Sequence, residues 1–345
     1  MDKLLSIIIP TYNMERYLRK CLDSLIVETS LMSQLEVLVI NDGSKDSSSA
    51  IAHEYEAKYP QTFRVVDKAN GHYGSCVNKG LELATGKYVK VLDADDSFDN
   101  AAFSIFLQKI ADIDVDLILT EYLTVDEKGK EIGRSSLCPF GLEEGKSFDF
   151  HSILKNNPNF GYAMHCCAYR LQMLKDMCYK QTEGVSYTDI EWISKPATRV
   201  TLCYYLPLFL YSYLLGRDGQ SMDEKIMLRS ISHLMVVCNS LITFYECGDF
   251  KDLFKNYLQA PIGMQLNLIY TLVLFEQRTN LKELISFDKT LERYPFAYEL
   301  SKQIKGFRNF YCVQYWRKHN RKPLPIYFVW IRHLGMLKYK LKRKK

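Results

Sequence analysis

Short apolar runs alternate with stretches of helical periodicity in the N-terminal part of the chain, and this order most limits the possible folds. Runs rich in β-branched and other apolar side chains occupy residues 4–9, 36–40 and 63–66. Apolar side chains recur at helical spacing within 17–25, and a second helix is predicted from about 46 to 59. The β-α-β-α-β order predicts an α/β fold with a parallel, doubly wound sheet.

Polar clusters follow four of the predicted strands at the point where each strand ends. They occupy residues 11–13, 41–44, 70–75 and 93–96. Because ligands of such sheets bind beyond the carboxyl ends of the strands, we expect these clusters to line one crevice. Residues 70–75 lead into a helix predicted at 77–84, whose first-turn amides favour an anionic group. The glycine spacing is not G-x-G-x-x-G and no Walker lysine motif occurs, so an ordinary dinucleotide or ATP loop is disfavoured.

A strand predicted at 88–92 ends in three carboxylates. Asp93, Asp95 and Asp96 follow this strand with only Ala94 between them. Crowded carboxylates repel one another unless a cation or a hydrogen-bonded ligand balances them, and hard oxygen ligands suit Mg²⁺ or Mn²⁺. We therefore expect a divalent-metal site. The alternative is a solvated acidic loop in which Asp96 or the serine after it caps the next helix.

The length and charge of the chain limit the class of protein. With 345 residues, 47% hydrophobic and 25% charged, it suits a large α/β domain and a second, mostly helical part. The net charge of +5 is uneven, because residues 301–345 contain 14 Lys or Arg and no Asp or Glu. A nucleic-acid-binding protein would more often carry its positive charge across the folded domain. A membrane or surface contact by the C-terminal tail is favoured, and nucleic acid is not expected as a partner.

The cysteines and the N-terminus indicate a cellular compartment. Ten cysteines occur without a C-x-x-C pair or zinc spacing, and many lie in apolar segments, which is typical of reduced, buried cysteines in a cytoplasmic protein. The apolar run before Pro10 is too short for a signal peptide. No apolar run approaches the roughly 20 residues that a membrane-spanning helix needs.

The pattern becomes helical in the last third of the chain. Apolar stripes within 226–238 and 266–275 predict a helical subdomain at 223–320, after a first domain at 1–222. We interpret these stripes as core.

The remaining residues, 321–345, form a basic tail. An aromatic, apolar stretch at 326–331 precedes six basic residues within 338–345. This combination predicts an amphipathic segment that makes a peripheral contact with an anionic membrane surface through 323–345. A plain solubilising tail is the alternative.

Five segments carry a resemblance to a known family. SIIIPTYN at 6–13, VINDGSKDSS at 39–48 and NGHYGSCVNKGLELATGKYVKVLDADD at 70–96 are specific, and EGVSYTDIEW at 183–192 and YSYLLGRDGQSM at 211–222 match more weakly. In these segments the chain resembles the family 2 glycosyltransferases. The resemblance implies the A-type glycosyltransferase fold, with a Rossmann-like, mostly parallel central sheet, and an enzyme that uses a nucleotide sugar.

The resemblance also implies a set of donor-binding residues. Those expected at the nucleotide sugar are Pro10, Thr11, Tyr12, Glu15, Asp42, Asn70, Gly71, Asp93, Ala94, Asp95 and Arg217. Within this set, Asp42 would accept a hydrogen bond from a uracil ring. Asp93 and Asp95 would hold Mn²⁺ or Mg²⁺, with Asp96 as a further candidate ligand.

One position shortly after Gly71 departs from the family pattern. Val77 stands where many relatives carry an arginine. The positive charge at the diphosphate would then come from Lys68, Lys79 or Arg217. His72 is a candidate contact for phosphate or acceptor, and its alternative is a surface loop position.

The family's catalytic base is an acidic residue that opens a helix on the acceptor side, usually within a Glu-Asp pair. The pair is Thr188-Asp189 here, so the resemblance assigns Asp189 as the base that deprotonates the acceptor hydroxyl, with Glu191 as the fallback. The structural alternative makes Asp189 only the N-cap of a helix at 190–195.

Two further residues near this segment have structural interpretations. His165 stands beside Cys166 and Cys167, and we interpret 162–169 as a buried strand in preference to a metal or thiol site. Trp192 packs either the acceptor pocket or the core.

Together the motifs imply an inverting glycosyltransferase that moves a sugar from a UDP-sugar to a hydroxyl of a saccharide or lipid-linked acceptor in cell-surface polysaccharide synthesis. It would be cytoplasmic, on the inner face of the membrane. A nucleotidyltransferase that makes a nucleotide sugar is one alternative, although the usual glycine- and arginine-rich opening loop of that class is missing. A catalytically silent, transferase-like scaffold subunit is the other.

Overall fold

The computed structural model describes residues 3–217, 219–220, 223–276, 280–332 and 334. The chain divides into two compact units, Met1–Gln220 and Ser221–Lys345. The boundary predicted between 222 and 223 falls beside this division, and residues 221–222 lie outside the described part.

A mixed sheet forms the centre of the first unit. Its strands are β1 (Leu5–Thr11), β2 (Leu35–Asn41), β3 (Phe63–Asp67), β4 (Tyr88–Val91), β5 (Ser97–Phe98), β6 (Leu117–Val125), β7 (Glu131–Ser135), β8 (Ser147–Asp149), β9 (Cys167–Arg170) and β10 (Leu202–Leu214). The order across the sheet is β3-β2-β1-β4-β9-β6-β10-β5, and β7 and β8 add to β6 and β10. The strands β1 and β2 are buried apolar segments, as expected for the centre of a parallel sheet.

Most strands of this sheet run in one direction. β3, β2, β1 and β4 are mutually parallel, and β10 is parallel to β6. β9 lies between β4 and β6 and is antiparallel to both. The prediction of an α/β fold with a mostly parallel sheet is therefore confirmed, and β9 is an antiparallel strand in its interior that the sequence did not reveal.

Helices pack against this sheet. They are α1 (Leu18–Asp23), α2 (Thr29–Met32), α3 (Ser48–Lys58), α4 (His72–Leu83), α5 (Asn100–Ile110), α6 (Phe150–Asn156), α7 (Leu171–Asp176) and α8 (Asp189–Ser194). The interpretation of 162–169 as a strand is wrong in its first half. Met164–Cys166 form a 3₁₀ turn, and β9 begins only at Cys167.

Helix α4 begins earlier than predicted. Most of the segment predicted as a glycine-rich loop is its first turn, which opens at His72 with a φ of 64°. A Cβ on Gly74 would lie 2.1 Å from the carbonyl oxygen of Thr182, and one on Gly80 would lie 2.5 Å from the side chain of Ile8. Glycine at these positions therefore allows close packing of the helix, in addition to any role at an anion.

The cysteines are free in the described structure. Seven of the ten are buried, as predicted, but Cys138, Cys178 and Cys247 are exposed.

The second unit is mainly helical, which confirms the predicted helical C-terminal part. Its elements are α9 (Glu224–Arg229), α10 (Ile231–Cys247), α11 (Asp252–Thr271), α12 (Leu281–Leu291), α13 (Pro295–Lys302), β11 (Lys305–Phe307), β12 (Phe310–Tyr311) and α14 (Cys312–Lys318), followed by a helix at 326–332. Helix α11 continues as a π-helical turn. By length and composition alone, Asp252–Phe275 could cross a membrane, contrary to the sequence expectation, but most of its apolar window is buried in the structure as in a core helix.

A buried ionic cluster holds α12 to α14. The Asp288 carboxylate is fully buried and accepts hydrogen bonds from Arg317 Nη2 at 2.6 Å, from Arg321 Nε at 2.7 Å and from the Tyr270 hydroxyl. A carboxylate at this depth is tolerated only because these donors compensate its lost hydration.

We expect Asp288→Asn to lower the free energy of unfolding by about 3–5 kcal/mol, because it leaves the Arg317 guanidinium largely buried without its counter-charge. The matched control is Glu299→Gln, which removes an exposed ion pair to Lys302 and should change stability by less than about 0.5 kcal/mol. Urea denaturation of the full chain measures both. Equal effects of the two substitutions would contradict the assignment.

Candidate active site

The ends of β1, β2 and β3 meet at one edge of the sheet, as the sequence predicts. The Asp42 amide donates to the Thr11 carbonyl at 2.8 Å, and the Lys68 amide donates to the Asn41 carbonyl at 3.0 Å. Next to these ends lies a cavity of about 280 Å³, lined by Pro10, Thr11, Tyr12, Met14, Asp42, Asn70, His72, Tyr73, Cys76 and Ser186. Five of the eleven residues predicted to bind the nucleotide sugar therefore line one cavity: Pro10, Thr11, Tyr12, Asp42 and Asn70.

The Asp42 side chain is buried at the base of this cavity. Its Oδ1 accepts a hydrogen bond from the Gly71 amide at 2.9 Å and forms an ion pair with Lys68. The Asn70 side-chain amide donates to the Asp42 carbonyl at 3.0 Å. Positions 42, 68, 70 and 71 therefore form one hydrogen-bonded corner.

Glu15 and Lys79 are directed elsewhere. The exposed Glu15 carboxylate accepts a hydrogen bond from the Ser47 amide at 2.9 Å, just before α3, and Glu15 does not line the cavity. Lys79 pairs with Glu82 along α4 at 2.9 Å. Of the three cations considered for the diphosphate, Lys68 and Arg217 are the two that the structure places beside predicted donor-binding carboxylates.

The carboxylates after β4 form a compact group. One oxygen each of Asp93, Asp95 and Asp96 lies within 4.8 Å of the others. Asp96 is buried, and its two oxygens accept hydrogen bonds from the Tyr211 hydroxyl at 2.6 Å and from the Leu214 amide at 2.7 Å. Asp96 therefore orients the group against β10, and Asp93 and Asp95, which are only partly buried, are left as the better cation ligands.

Asp93 and Asp95 also have partners from distant parts of the chain. The Tyr73 hydroxyl donates to Asp93 Oδ1 at 2.8 Å, and Arg217 Nε donates to Asp95 Oδ2 at 2.5 Å. The Arg217 guanidinium also lies 5.6 Å from the ring centre of Tyr17. Arg217 thus stands at the acidic group, as the resemblance implies for a residue close to the donor.

The electrostatics of this group favour a cation. Burial and the neighbouring Asp95 charge raise the pKa of Asp93 to about 7, although the Tyr73 hydrogen bond acts in the opposite direction. Burial and the same neighbours raise the pKa of Asp96 well above its ordinary value. The Arg217 guanidinium therefore does not compensate the three carboxylates fully. Their oxygen atoms suit a hard divalent ion such as Mg²⁺ or Mn²⁺.

Asp189 lies close to the acidic group of Asp93, Asp95 and Asp96. It is the first residue of α8, with Thr188 at the N-cap position, so the hypothesis that Asp189 is the N-cap is wrong. Its side chain is solvent-accessible, yet the surrounding protein raises the pKa of its carboxyl above the ordinary value. Its charge in turn raises the pKa values of Asp93 and Tyr73, which shows that it lies close to the acidic group.

Glu191, the fallback base, has a structural role. It is fully buried, and its carboxylate accepts hydrogen bonds from the Thr182 amide at 2.7 Å and the Thr182 hydroxyl at 2.9 Å. Lys195 pairs with it at 2.6 Å. These contacts direct Glu191 into the protein, away from any acceptor.

The segment before α8 is fixed to α4. The Asn78 side chain donates to the Gln181 carbonyl at 2.9 Å and accepts from the Gln181 amide at 2.8 Å. The Gly184 amide donates to the Gly71 carbonyl at 2.9 Å, and the Thr188 hydroxyl donates to the Gln181 side chain. Helix α4, which follows the corner around Asp42, therefore also positions the segment that leads to Asp189.

These motifs and this geometry agree with comparison to known proteins. The description of the matching family is "Glycosyl transferase family 2", and its profile matches residues 6–178, half of the chain. The chain belongs to this family.

Two bacterial relatives illustrate how far the likeness extends. The chain is 29% identical over 221 residues to the uncharacterized glycosyltransferase YibD of Escherichia coli (strain K12), a match that covers 63% of each chain. It is 36% identical over 118 residues to the uncharacterized glycosyltransferase EpsJ of Bacillus subtilis (strain 168), covering 34% of this chain and 33% of EpsJ. The match thus spans less than two thirds of either relative.

Solved structures support the fold. The first 349 residues of S. aureus TarS, in complex with UDP-GlcNAc, superpose with a TM-score of 0.60 at 19% identity, covering 88% of this chain and 84% of that one. The mannosyltransferase PcManGT from Pyrobaculum calidifontis, in complex with GDP-Man and Mn²⁺, gives a TM-score of 0.53 at 16% identity with the same coverage. The expectation of an A-type glycosyltransferase fold is confirmed.

The structure adds residues in and around the candidate site that the sequence did not single out. Tyr73 and Tyr211 donate to the carboxylates, but with 24 tyrosines in the chain no pattern distinguishes them. Lys90 is fully buried in β4 and donates to the carbonyls of His165 and Cys167 at 2.7 and 3.2 Å. A lysine inside an apolar strand was the signal that could have found it.

His165 and Trp192 have the structural roles that the sequence favours or allows. The His165 ring packs among three tyrosines with centroid distances of 4.5 to 4.8 Å. Burial lowers the pKa of His165 to about 3, so this ring is neutral. Trp192 is 1% exposed and packs on Tyr169 and Tyr179, so it belongs to the core.

We expect Glu191→Gln and Asp189→Asn to differ in stability. Glu191→Gln should lower the free energy of unfolding by about 1–3 kcal/mol, because it deprives Lys195 and Thr182 of a charged acceptor in a buried position. Asp189→Asn should not lower it, because the folded protein disfavours the ionised carboxyl at 189. Urea denaturation near neutral pH measures both, and a larger loss for Asp189→Asn would contradict this division of roles.

Proposed function

We propose that this family 2 member transfers a sugar from a UDP-sugar to a hydroxyl group of a saccharide or lipid-linked acceptor, with inversion at the anomeric carbon. The observation that carries the proposal is the proximity of three features: Asp42 and Tyr73 line one cavity, the Tyr73 hydroxyl also donates to Asp93 in the acidic group, and the charge of the accessible Asp189 carboxylate acts on Asp93. We assign the acidic group as the site for the diphosphate and the corner around Asp42 as the site for the nucleobase. Asp189 is the proposed catalytic base.

The donor assignment rests on the Asp42 corner. A buried carboxylate beside a cavity of about 280 Å³ would accept the imide hydrogen of uracil. The complex of TarS with UDP-GlcNAc and that of PcManGT with GDP-Man show that proteins of this fold bind nucleotide sugars. We therefore propose a UDP-sugar as the donor and a GDP-sugar as the second candidate.

In the proposed reaction Asp189 accepts the proton of the acceptor hydroxyl. The acceptor oxygen forms a bond to the anomeric carbon while the bond from that carbon to the diphosphate oxygen breaks. The raised pKa of Asp189 makes its carboxylate a stronger base. Because the new bond forms opposite the bond that breaks, the anomeric configuration inverts.

Asp93 and Asp95 would hold a divalent ion, Mn²⁺ or Mg²⁺, which when bound supplies electrostatic neutralisation of the diphosphate. Lys68 and Arg217 are the side chains that we propose to contact the phosphates. Arg217 would do so after its ion pair with Asp95 opens.

The acceptor class rests on a relative in cell-wall polymer synthesis. The minor teichoic acid biosynthesis protein GgaB of Bacillus subtilis (strain 168) is 38% identical over 98 residues, which cover 28% of this chain and 11% of GgaB. That relative supports, for this chain, a role in the synthesis of a cell-surface polymer.

The first test is UDP release from a panel of UDP-sugars with and without Mn²⁺. We expect one donor to give metal-dependent release, which Asp95→Asn lowers by about 100-fold or more because the ion loses a ligand. The control is Asp112→Asn, an exposed carboxylate outside the cleft, which should behave as the wild type. Asp189→Asn should bind UDP normally and transfer no sugar.

The stereochemistry of the product is a second, independent test of the proposed reaction. Proton NMR of the product should show the anomeric configuration opposite to that of the donor. Retention would exclude Asp189 as a base for single displacement. Turnover of a GDP-sugar or dTDP-sugar without turnover of any UDP-sugar would overturn the uracil assignment of Asp42 and leave the transferase assignment intact.

A further inference from the structure

One face of the helix at 326–332 is apolar and exposed. Ile326, Tyr327, Trp330, Ile331 and, just beyond, Leu334 have between 45% and 64% of their surface exposed. Their spacing of one, three, one and three residues places all five on the same side of a helix. We name these five residues the apolar face.

The opposite side of the helix is anchored to the second unit. The ring of Phe328 stacks on Phe310 with centroids 4.2 Å apart and lies 6.0 Å from Phe307. Arg332 Nη1 donates to the Gly306 carbonyl at 3.0 Å. The apolar face is therefore presented outward by a fixed helix, and the exposure of its side chains is a property of the folded unit.

The chain that contains the apolar face carries one sign of charge. Residues 301–345 contain 14 basic and no acidic side chains, and six of the basic ones, within 338–345, lie outside the described residues. Among the described residues, Lys318 and Lys322 are exposed shortly before the helix. Aromatic and aliphatic side chains beside exposed cations are typical of helices that lie in the interface of an anionic bilayer, where Trp and Tyr sit at the level of the headgroups.

We propose that the apolar face binds the surface of an anionic lipid bilayer, with its side chains inserted among the headgroups and the surrounding lysines and arginines facing the lipid phosphates. Five partly exposed residues are few for a stable protein interface, which uses about 20–30 residues on each side. A segment with 14 basic and no acidic residues also disfavours a second copy of this chain, because two such segments would repel each other. The proposal goes beyond glycosyl transfer and is independent of the donor.

The chain contains its own reporter for this contact. Of its three tryptophans, Trp192 and Trp316 are buried, and Trp330 belongs to the apolar face. The experiment mixes the full chain with vesicles of phosphatidylcholine alone or with roughly one third phosphatidylglycerol. We expect co-sedimentation and a blue shift of tryptophan emission with the anionic vesicles only, and binding that weakens several-fold when salt is raised to about 0.5 M.

Three variants identify the surface. Ile331→Glu should lower vesicle binding at least tenfold, because it places a negative charge on the apolar face. Met264→Glu is the matched control, since Met264 is 57% exposed on α11 and lies outside the apolar face, and it should bind as the wild type. Trp330→Phe should still co-sediment but lose the blue shift.

Several results would overturn the proposal. Equal binding to neutral vesicles, or undiminished binding of Ile331→Glu, would exclude an anionic bilayer as the partner of this face. A dimer in light scattering that Ile331→Glu dissociates would assign the face to a second copy. UDP release with a water-soluble acceptor should be unchanged in Ile331→Glu, so a failure of membrane binding and a failure of the transferase proposal are read separately.

Discussion

Repulsion among the carboxylates that follow β4 is the constraint on which the rest of the site depends. Asp93, Asp95 and Asp96 lie too close together to be ionised without compensation. β10 supplies the Tyr211 hydroxyl and the Leu214 amide, α4 supplies Tyr73, and the segment after β10 supplies Arg217. Elements far apart in sequence are thus drawn to one point, because each satisfies part of the same excess of negative charge.

A second point of dependence is Thr182. Its backbone carbonyl lies against Gly74, where no side chain would fit, and its amide and hydroxyl bind Glu191. Thr182 therefore contacts both α4 and α8. A shift of this segment would move Asp189 relative to the carboxylates, so packing in the protein interior sets the distance between the two halves of the proposed reaction.

The sequence predicted what depends on local pattern. Apolar runs and helical spacing are local, so the strands β1 to β4, the convergence of their ends and the grouping of the three carboxylates followed from them. The antiparallel β9 could not be predicted, because its partners at Val89 and Leu117 are distant in the chain. The structural roles of Glu15 and Glu191 could not be predicted for a related reason. Both are acidic residues near the predicted site. Only their hydrogen-bond partners, the Ser47 amide and Thr182, reveal that they stabilise loops.

Lys90 and Arg217 show the same limit for cations. A lysine in a strand next to three aspartates would suggest an ion pair, yet its amine turns to the carbonyls of His165 and Cys167, and burial lowers its pKa to about 8. The cation that reaches the carboxylates comes instead from residue 217. The direction of each side chain from its strand or loop therefore decides which cation pairs with the carboxylates.

The ion pair between Arg217 and Asp95 would also make the protein its own competitor for a metal ion. A guanidinium held beside the carboxylates has a high effective concentration, so a divalent ion that takes Asp95 Oδ2 as a ligand would compete with Arg217 for that oxygen. Binding of the ion and opening of the ion pair would then be linked reciprocally: whatever draws Arg217 away would tighten the hold on the ion by the same factor. A nucleotide diphosphate, as an alternative anion for that arginine, would recruit its own counter-ion.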